Sequence, residues 1–272
     1  MDLLLPTFIL IVIFLLYQWS MTFKFLCKLA FLSAWVLFLS VSVSPLVAVF
    51  IGQRAENMKL LCAFIRPLKY IYNVTFTVQG SENLNIKQPY VIVCNHQTNF
   101  DLLAMAEILP ERCVPIAKKE LLYWGPLGLC CWLCDLVFID RKKKHQARDT
   151  IEHLAERMQH EDLRIWVYPE GTRNQVDTML PFKRGAFHLA VKAQVPIVPI
   201  VISSYRDSYS FKDKRFKPGN IIIRILPKIE TQGLDLQDIS ALVESTRRMM
   251  QDTFNDISGK MCGDKDESNE CS

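Results

Sequence analysis

Histidine is scarce in this sequence, with five residues among 272, and no His pair at zinc-finger spacing accompanies the stretch Cys130-Cys131-x-x-Cys134. No second CxxC follows it. Structural zinc sites combine four such ligands at short spacings, so we expect no metal site.

The nine cysteines are an odd number, which does not suit a complete disulfide framework. Six of them lie in apolar surroundings: Cys27, Cys62, Cys94, Cys130, Cys131 and Cys134. This pattern indicates reduced, buried thiols in a domain that faces the cytosol. Cys94, close to His96, could also act as a thiol nucleophile, but its apolar run is more typical of a small buried residue.

The sequence also lacks a Lys/Arg-rich stripe interleaved with aromatic residues, and its net charge is only +4. Nucleic acid is therefore not an expected partner. A mildly basic surface suits anionic lipid instead.

Charged residues are absent from Leu3 to Trp19 and from Leu29 to Ile51. The second segment is long enough to cross a hydrocarbon layer of ~30 Å, and the first is barely so. A cleaved signal peptide is the rival interpretation of the first segment, but a basic n-region and a small-residue cleavage pattern are both missing. We therefore predict a membrane anchor of two hydrophobic helices over residues 1–53, either spanning as a hairpin or lying in the interface.

A partly apolar helical neck is predicted over residues 54–72, and short apolar strands then alternate with helical patterns up to residue 257. This alternation predicts an α/β fold with a mostly parallel central sheet flanked by helices. We assign residues 73–257 to this domain and expect the charged tail, residues 258–272, to be disordered. Ligands bind such sheets where the strands end.

The apolar stretch from Leu121 to Ile139 resembles a third membrane span in composition. Gly125, Pro126 and Gly128 weaken that interpretation. We expect instead a buried or interface-lying segment that could shelter an acyl chain.

A histidine and a carboxylate lie at the end of a predicted strand, in Asn95-His-Gln-Thr-Asn-Phe-Asp101. Five residues are too many for His96 and Asp101 to share one face of a straight helix, so a bend is needed to join them. If they meet, Asp101 accepts the Nδ1 proton and Nε2 of His96 becomes a base. The alternative is a helix-capping acid beside a polar loop histidine.

A second polar cluster follows the next predicted strand, in Pro169-Glu-Gly-Thr-Arg173. Gly171 lets backbone amides approach a ligand, Thr172 donates, and Arg173 offers a bidentate fork, while Lys183 adds charge near a helix start. These residue types suit a phosphate, although a solvated loop with an Arg-Glu ion pair has the same composition. Arg141 could close the same anion site from another strand end.

Four blocks, in this order and spacing, resemble the motifs of the glycerolipid acyltransferase superfamily. They are Asn95-His-Gln-Thr-Asn-Phe-Asp101, Phe138-Ile-Asp-Arg141, Tyr168-Pro-Glu-Gly-Thr-Arg173 and Val195-Pro-Ile-Val-Pro199. The flanking residues are similar to the alpha/beta type of animal 1-acylglycerol-3-phosphate acyltransferases, over about residues 25 to 257. Asp135 departs from the pattern, since relatives usually have a small residue such as glycine there.

The resemblance implies roles for individual residues. His96 would be the general base and Asp101 its orienting acid. The acceptor's phosphate would be bound by Arg141, Glu170, Gly171, Thr172 and Arg173. The block around Pro196 would serve acyl-donor binding or packing.

The implied reaction transfers an acyl group from acyl-CoA, a co-substrate, to the sn-2 hydroxyl of lysophosphatidic acid. Phosphatidic acid and CoA would result, in phospholipid and triacylglycerol synthesis, with no cofactor or metal. The resemblance also implies an endoplasmic reticulum membrane protein, multi-pass, with its catalytic domain facing the cytosol. Three alternatives remain: another acceptor such as glycerol-3-phosphate or a lysophospholipid, a thioesterase, and a non-catalytic membrane scaffold. No motif reports the oligomeric state.

Overall fold

The computed structural model describes residues 4–140 and 143–259. Its helices are α1 (Leu4–Trp19), α2 (Met21–Phe50), α3 (Asn57–Ile65), α4 (Leu68–Tyr72), α5 (Asp101–Ile108), α6 (Pro126–Leu133), α7 (Lys144–His160), α8 (Gly185–Ala193) and α9 (Ile239–Ile257). Its strands are β1 (Val74–Gln79), β2 (Tyr90–Cys94), β3 (Cys113–Lys118), β4 (Val137–Ile139), β5 (Arg164–Val167), β6 (Ile197–Ile202), β7 (Tyr209–Ser210), β8 (Arg215–Phe216) and β9 (Gly219–Ile225).

Within the described ranges, seven strands form one sheet in the order β1, β9, β6, β2, β5, β3, β4. Neighbouring strands run parallel except β6 and β9, which are antiparallel. The predicted α/β fold with a mostly parallel sheet is therefore confirmed. Strands β7 and β8 form a separate antiparallel pair that the sequence patterns did not predict.

The central strand β2 is buried on both faces, which explains its unbroken apolar run. Ile92 points into an apolar layer formed with α2, α3, α4 and α5, whereas Val91 and Val93 point into a second layer with α7, α8 and α9. This alternation follows from the two-residue period of a strand. The two layers fix β2 in the middle of the sheet, so the loop after Cys94 starts from a rigid position.

Helix α2 packs against the domain along much of its length. Its residues Phe25, Leu32 and Leu39, seven positions apart, are nearly fully buried in the same apolar layer as β2. The helix has 30 residues, and it is the one helix in the described part of the chain that is long and apolar enough to cross a membrane by these two criteria. Two N-terminal apolar helices are thus present, and α1 buries no residue.

The stretch from Leu121 to Ile139 is divided between the end of a 3₁₀ turn (Lys119–Tyr123), α6 and β4. It is therefore not a third membrane span. Gly128 lies against the carbonyl oxygen of Leu122, and a Cβ atom would not fit there. The small residues that weakened the membrane interpretation thus allow α6 to fold back onto the preceding turn.

Asp135 has a positive φ of 59°, which a glycine would adopt more easily. Its carboxylate accepts hydrogen bonds from Gln53 Nε2 at 3.0 Å and from an Arg157 guanidinium nitrogen at 2.8 Å. These bonds join the segment after α2 to the domain, and they compensate for the backbone conformation. The division into anchor, neck, domain and tail remains a prediction, and residues 260–272 of the tail lie outside the described residues.

Candidate active site

His96 and Asp101 meet at the end of β2. Asp101 is the first residue of α5 and is almost fully buried, and its Oδ2 atom lies 2.6 Å from His96 Nδ1. The same oxygen accepts hydrogen bonds from the backbone N–H groups of Gln97 at 2.7 Å and Thr98 at 3.1 Å. The loop therefore wraps around the carboxylate and supplies the bend that the five-residue spacing requires.

The carboxylate sets the tautomer of His96. Because Nδ1 donates its proton to Asp101, Nε2 is left as a proton acceptor. The side chain is 21% exposed, so this nitrogen belongs to a partly open imidazole beside a buried acid. This arrangement is that of a general base with an orienting carboxylate.

The imidazole is also held by an aromatic ring. Tyr168, the residue after β5, stacks on His96 with ring centroids 4.1 Å apart and an angle of 21° between the ring planes. Burial raises the pKa of Tyr168 well above its ordinary range, with Cys94 and Asp101 adding to the effect. The phenol therefore stays protonated at neutral pH and acts here by contact.

Glu170 joins the loop after β5 to the loop after β2. Its buried carboxylate accepts hydrogen bonds from the backbone N–H of His96 at 3.0 Å, from Asn174 Nδ2 at 3.2 Å and from the backbone N–H of Leu180 at 3.0 Å. The backbone N–H of Asn174 in turn donates to the carbonyl of His96 at 2.7 Å. Both backbone groups of His96 are thus hydrogen-bonded to the loop after β5.

The turn at Gly171 favours glycine because its φ is 72°, a conformation that other residues rarely adopt. The flexible end of the Lys183 side chain crosses the turn at this position. The turn directs Thr172 and Arg173 outward, where both are exposed. Lys183, which precedes α8, therefore lies beside the turn at Gly171, and its role in binding a phosphate stays a prediction.

A cavity of about 490 Å³ opens between the two loops. It is lined by His96, Ile116, Ala117, Lys118, Glu120, Leu121, Trp124, Val167, Tyr168, Gly171, Thr172 and Arg173. The wall thus combines the imidazole of His96, two cations and the carboxylate of Glu120 with a glycine turn and apolar side chains. Such a cavity fits a molecule that has both an anionic group and an apolar part.

Comparison with known proteins agrees with this geometry. Residues 75–203 match the family model described as "Acyltransferase". The chain is 49% identical to mouse 1-acyl-sn-glycerol-3-phosphate acyltransferase alpha over 88% of its length and 84% of that protein. It is 43% identical to the human beta protein over 92% of its length and 90% of that protein.

The chain belongs to the 1-acyl-sn-glycerol-3-phosphate acyltransferase family. The resemblance seen in the four sequence blocks is therefore confirmed, and the protein is an acyltransferase. A crystal structure of the 1-acyl-sn-glycerophosphate (LPA) acyltransferase PlsC from Thermotoga maritima has the same fold, with a TM-score of 0.63 and 20% identity over 86% of this chain and 98% of that one. The apolar N-terminal helices fit a membrane-associated member of this family.

The structure separates other predicted site residues of this acyltransferase from the cavity. Pro196 precedes β6 and accepts a hydrogen bond from the backbone N–H of Val91 at 3.0 Å, near the start of β2. His96 follows the opposite end of β2, roughly 16 Å further along the strand direction. Of the two roles that the resemblance implied for Pro196, packing fits this position, and acyl-donor binding stays a prediction. Arg141 lies outside the described residues.

Glu170 was predicted to bind substrate, but it is only 4% exposed and does not line the cavity. Sequence reasoning also missed Tyr168 as a neighbour of His96. The signal was available, because β2 and β5 pair in parallel with Val93 opposite Val167, and this register puts Tyr168 beside Cys94 at the same sheet edge. Within the described residues, no group of three or more His, Cys, Asp or Glu side chains could hold a metal ion.

Proposed function

We propose that the protein transfers the acyl group of acyl-CoA to the sn-2 hydroxyl of lysophosphatidic acid, forming phosphatidic acid and CoA for phospholipid and triacylglycerol synthesis. The main support is the placement of His96, whose Nδ1 is paired with the buried Asp101, and of Arg173 on the wall of one cavity. Relatives that carry the name 1-acyl-sn-glycerol-3-phosphate acyltransferase support the same acceptor.

In the proposed mechanism, Nε2 of His96 removes the proton of the acceptor hydroxyl as its oxygen attacks the thioester carbonyl carbon. The buried Asp101 carboxylate stabilises the imidazolium that forms. The tetrahedral intermediate then releases the sulfur of CoA by cleavage of the C–S bond, and the thiolate takes the proton from the imidazolium. The cycle returns His96 to its neutral form, so it requires neither a metal nor an acyl-enzyme.

The acceptor's phosphate is bound by the turn after β5. Arg173 and Thr172 offer a guanidinium fork and a hydroxyl, and the glycine turn lets the phosphate come close to the backbone. Lys183 adds positive charge beside Gly171, and Arg141 is a further candidate ligand. Glu170 supports this site indirectly, since its carboxylate holds the backbone of His96.

An acceptor panel tests this function. The full-length protein, reconstituted in vesicles, is assayed for CoA release with one acyl-CoA and with lysophosphatidic acid, glycerol-3-phosphate or lysophosphatidylcholine. We expect release that depends on lysophosphatidic acid and an acylated phosphatidic acid product. Three outcomes would contradict the proposal. Release with another acceptor only would indicate a different acyltransferase, and release without any acceptor would indicate a thioesterase. No release with any acceptor would indicate a scaffold.

For its location, the proposal is an endoplasmic reticulum membrane protein anchored by α1 and α2, with α2 lying in the interface along the domain and the domain on the cytosolic side. Soluble acyl-CoA and the membrane-bound acceptor can meet there. The sequon Asn73-Val-Thr75 is expected to remain unglycosylated. Thr75 is part of β1, so the fold itself could keep this sequon from being used. A control sequon at an exposed site is therefore made by Lys228→Asn with Glu230→Ser. Glycosidase-sensitive mass on either protein would place the domain in the lumen.

A further inference from the structure

Four large apolar side chains project from the segment between β3 and β4. Tyr123, Trp124, Leu129 and Trp132 are 72%, 65%, 42% and 44% exposed, and we call these four residues the aromatic ledge. Soluble surfaces seldom expose such a group of aromatic residues without a partner. The established acyl-transfer chemistry assigns no task to them.

The helix that carries half of the ledge has two distinct sides. Cys130 and Leu133 of α6 are buried and line a small apolar gap together with Ser44 and Val47 of α2. Leu129 and Trp132, three residues apart, share the side of α6 that is exposed. Helix α6 therefore lies between the ledge and α2, whose exposed residues are largely apolar as well.

The other half of the ledge lies at the active-site cavity. Trp124 lines the cavity that contains His96 and Arg173, yet about two thirds of its surface is open. It therefore lies at the mouth of the cavity rather than on its floor. Whatever covers Trp124 must also adjoin the route by which an apolar substrate enters.

We propose that the aromatic ledge is a membrane-docking surface that inserts into the interfacial layer of the bilayer and places the cavity mouth at the lipid surface. Tryptophan and tyrosine suit this layer because each has an apolar ring and a polar N–H or O–H group. The exposed apolar residues of α2, on the other side of α6, indicate that α2 and the ledge meet the same lipid. Lys118 at the cavity supplies positive charge for lipid headgroups. The role of the ledge in delivering a lipid acceptor to His96 rests on the proposed function.

Tryptophan fluorescence gives a readout that does not need activity. The chain has five tryptophans, and Trp19→Phe, Trp35→Phe and Trp132→Phe together leave Trp124 and the fully buried Trp166. In vesicles containing phosphatidylcholine brominated on its acyl chains, we expect strong quenching of the Trp124 emission. Iodide added to the aqueous phase should quench it weakly.

A matched control uses an exposed apolar residue near the amino ends of the strands, opposite the end that carries the cavity. Leu236 is 61% exposed, and the neighbouring Leu234 carbonyl contacts Gln194 near the start of β6. Leu236→Trp, combined with Trp124→Phe in the same background, should show little quenching by brominated lipid and strong quenching by iodide. Equal lipid quenching at both positions, or none at Trp124, would overturn the proposal. Protection of Trp124 from both quenchers that increases with protein density would assign the ledge to a second copy and overturn it as well.

An activity measurement separates docking from catalysis. Leu129→Ser with Trp132→Ser removes part of the ledge outside the cavity lining. We expect the apparent KM for vesicle-borne lysophosphatidic acid to rise severalfold, with no change for a short-chain, monomeric acceptor. Unchanged use of both acceptors would overturn the docking role. If the parent protein transfers no acyl group at all, the proposed function fails, and the quenching result still decides the membrane contact.

Discussion

The backbone N–H of His96 donates a hydrogen bond to Oε1 of Glu170 over 3.0 Å, although 74 residues separate them in the chain. This bond, together with that from the Asn174 N–H to the His96 carbonyl, fastens the loop after β2 to the loop after β5. The position of the imidazole relative to Arg173 therefore depends on a carboxylate that does not line the cavity. A change at Glu170 should consequently affect the geometry of the site rather than only the affinity for one substrate.

Replacing Glu170 by alanine should destabilise the domain and lower kcat. Three N–H donors would lose a partly buried hydrogen bond, and each such bond contributes about 0.5–1.5 kcal/mol to stability. The melting temperature should fall by about 2–4 °C for every kcal/mol of unfolding free energy that is lost. Steady-state kinetics should show the same reduction in kcat whether the acceptor or acyl-CoA is the varied substrate. An unchanged melting temperature and a rise in the KM for the acceptor alone would instead show that Glu170 binds the phosphate directly.

The stacked ring of Tyr168 should matter more than its hydroxyl. Tyr168→Phe keeps the ring, so its kcat should stay near that of the parent protein. Tyr168→Leu removes the stack, whose contribution of about 0.5–1.5 kcal/mol corresponds to a roughly twofold to tenfold lower kcat. Equal losses in both variants would point to the phenol group.

Arg173→Ala should weaken the use of the phosphorylated acceptor more than the use of acyl-CoA. The guanidinium lies at the cavity and is exposed, so its removal should leave the fold intact. We expect a higher KM for lysophosphatidic acid with a nearly constant KM for acyl-CoA. Arg148→Ala, at an exposed position on α7, is the control for loss of one positive charge. Equal effects of Arg173→Ala on both substrates would count against a phosphate site.

Cys94 should remain unreactive and dispensable for catalysis. Burial, and to a smaller extent the carboxylates of Asp101 and Glu170, raises the pKa of its thiol well above the ordinary range. The thiolate population therefore stays low as the pH rises through the usual titration range of cysteine, near ~8.5. Peptide mapping after N-ethylmaleimide treatment should find Cys94 unmodified in the native protein and modified in denaturant. An acylated Cys94 trapped during turnover would contradict a direct transfer.

Much of the architecture follows from local patterns. The apolar runs around β2, β5 and β6 and the amphipathic face of α9 predicted the elements, and the parallel sheet followed from their alternation. The pairing of His96 with Asp101 required one further fact, the wrapping of the Gln97 and Thr98 N–H groups around the carboxylate. That turn is set by hydrogen bonds rather than by hydrophobic spacing.

Other features depend on contacts that are distant in sequence. Glu170 accepts hydrogen bonds from partners 10 and 74 residues away, which local patterns do not show, and only the family resemblance gave it a role, in binding the acceptor's phosphate. The packing of α2 on the domain was equally hidden, because a helix face that meets protein and one that meets lipid have the same apolar composition. The seven-residue recurrence of its buried positions is visible in the sequence only after the partner surface is known.

The most direct test of the account is CoA release by the reconstituted full-length protein and by its His96→Ala variant, with and without lysophosphatidic acid. We expect the parent protein to release CoA only when the acceptor is present. The variant should remain folded and membrane-bound, with release reduced by orders of magnitude, because alanine supplies no proton acceptor beside Asp101. Substantial acceptor-dependent release by His96→Ala would contradict the assignment of His96 as the proton acceptor.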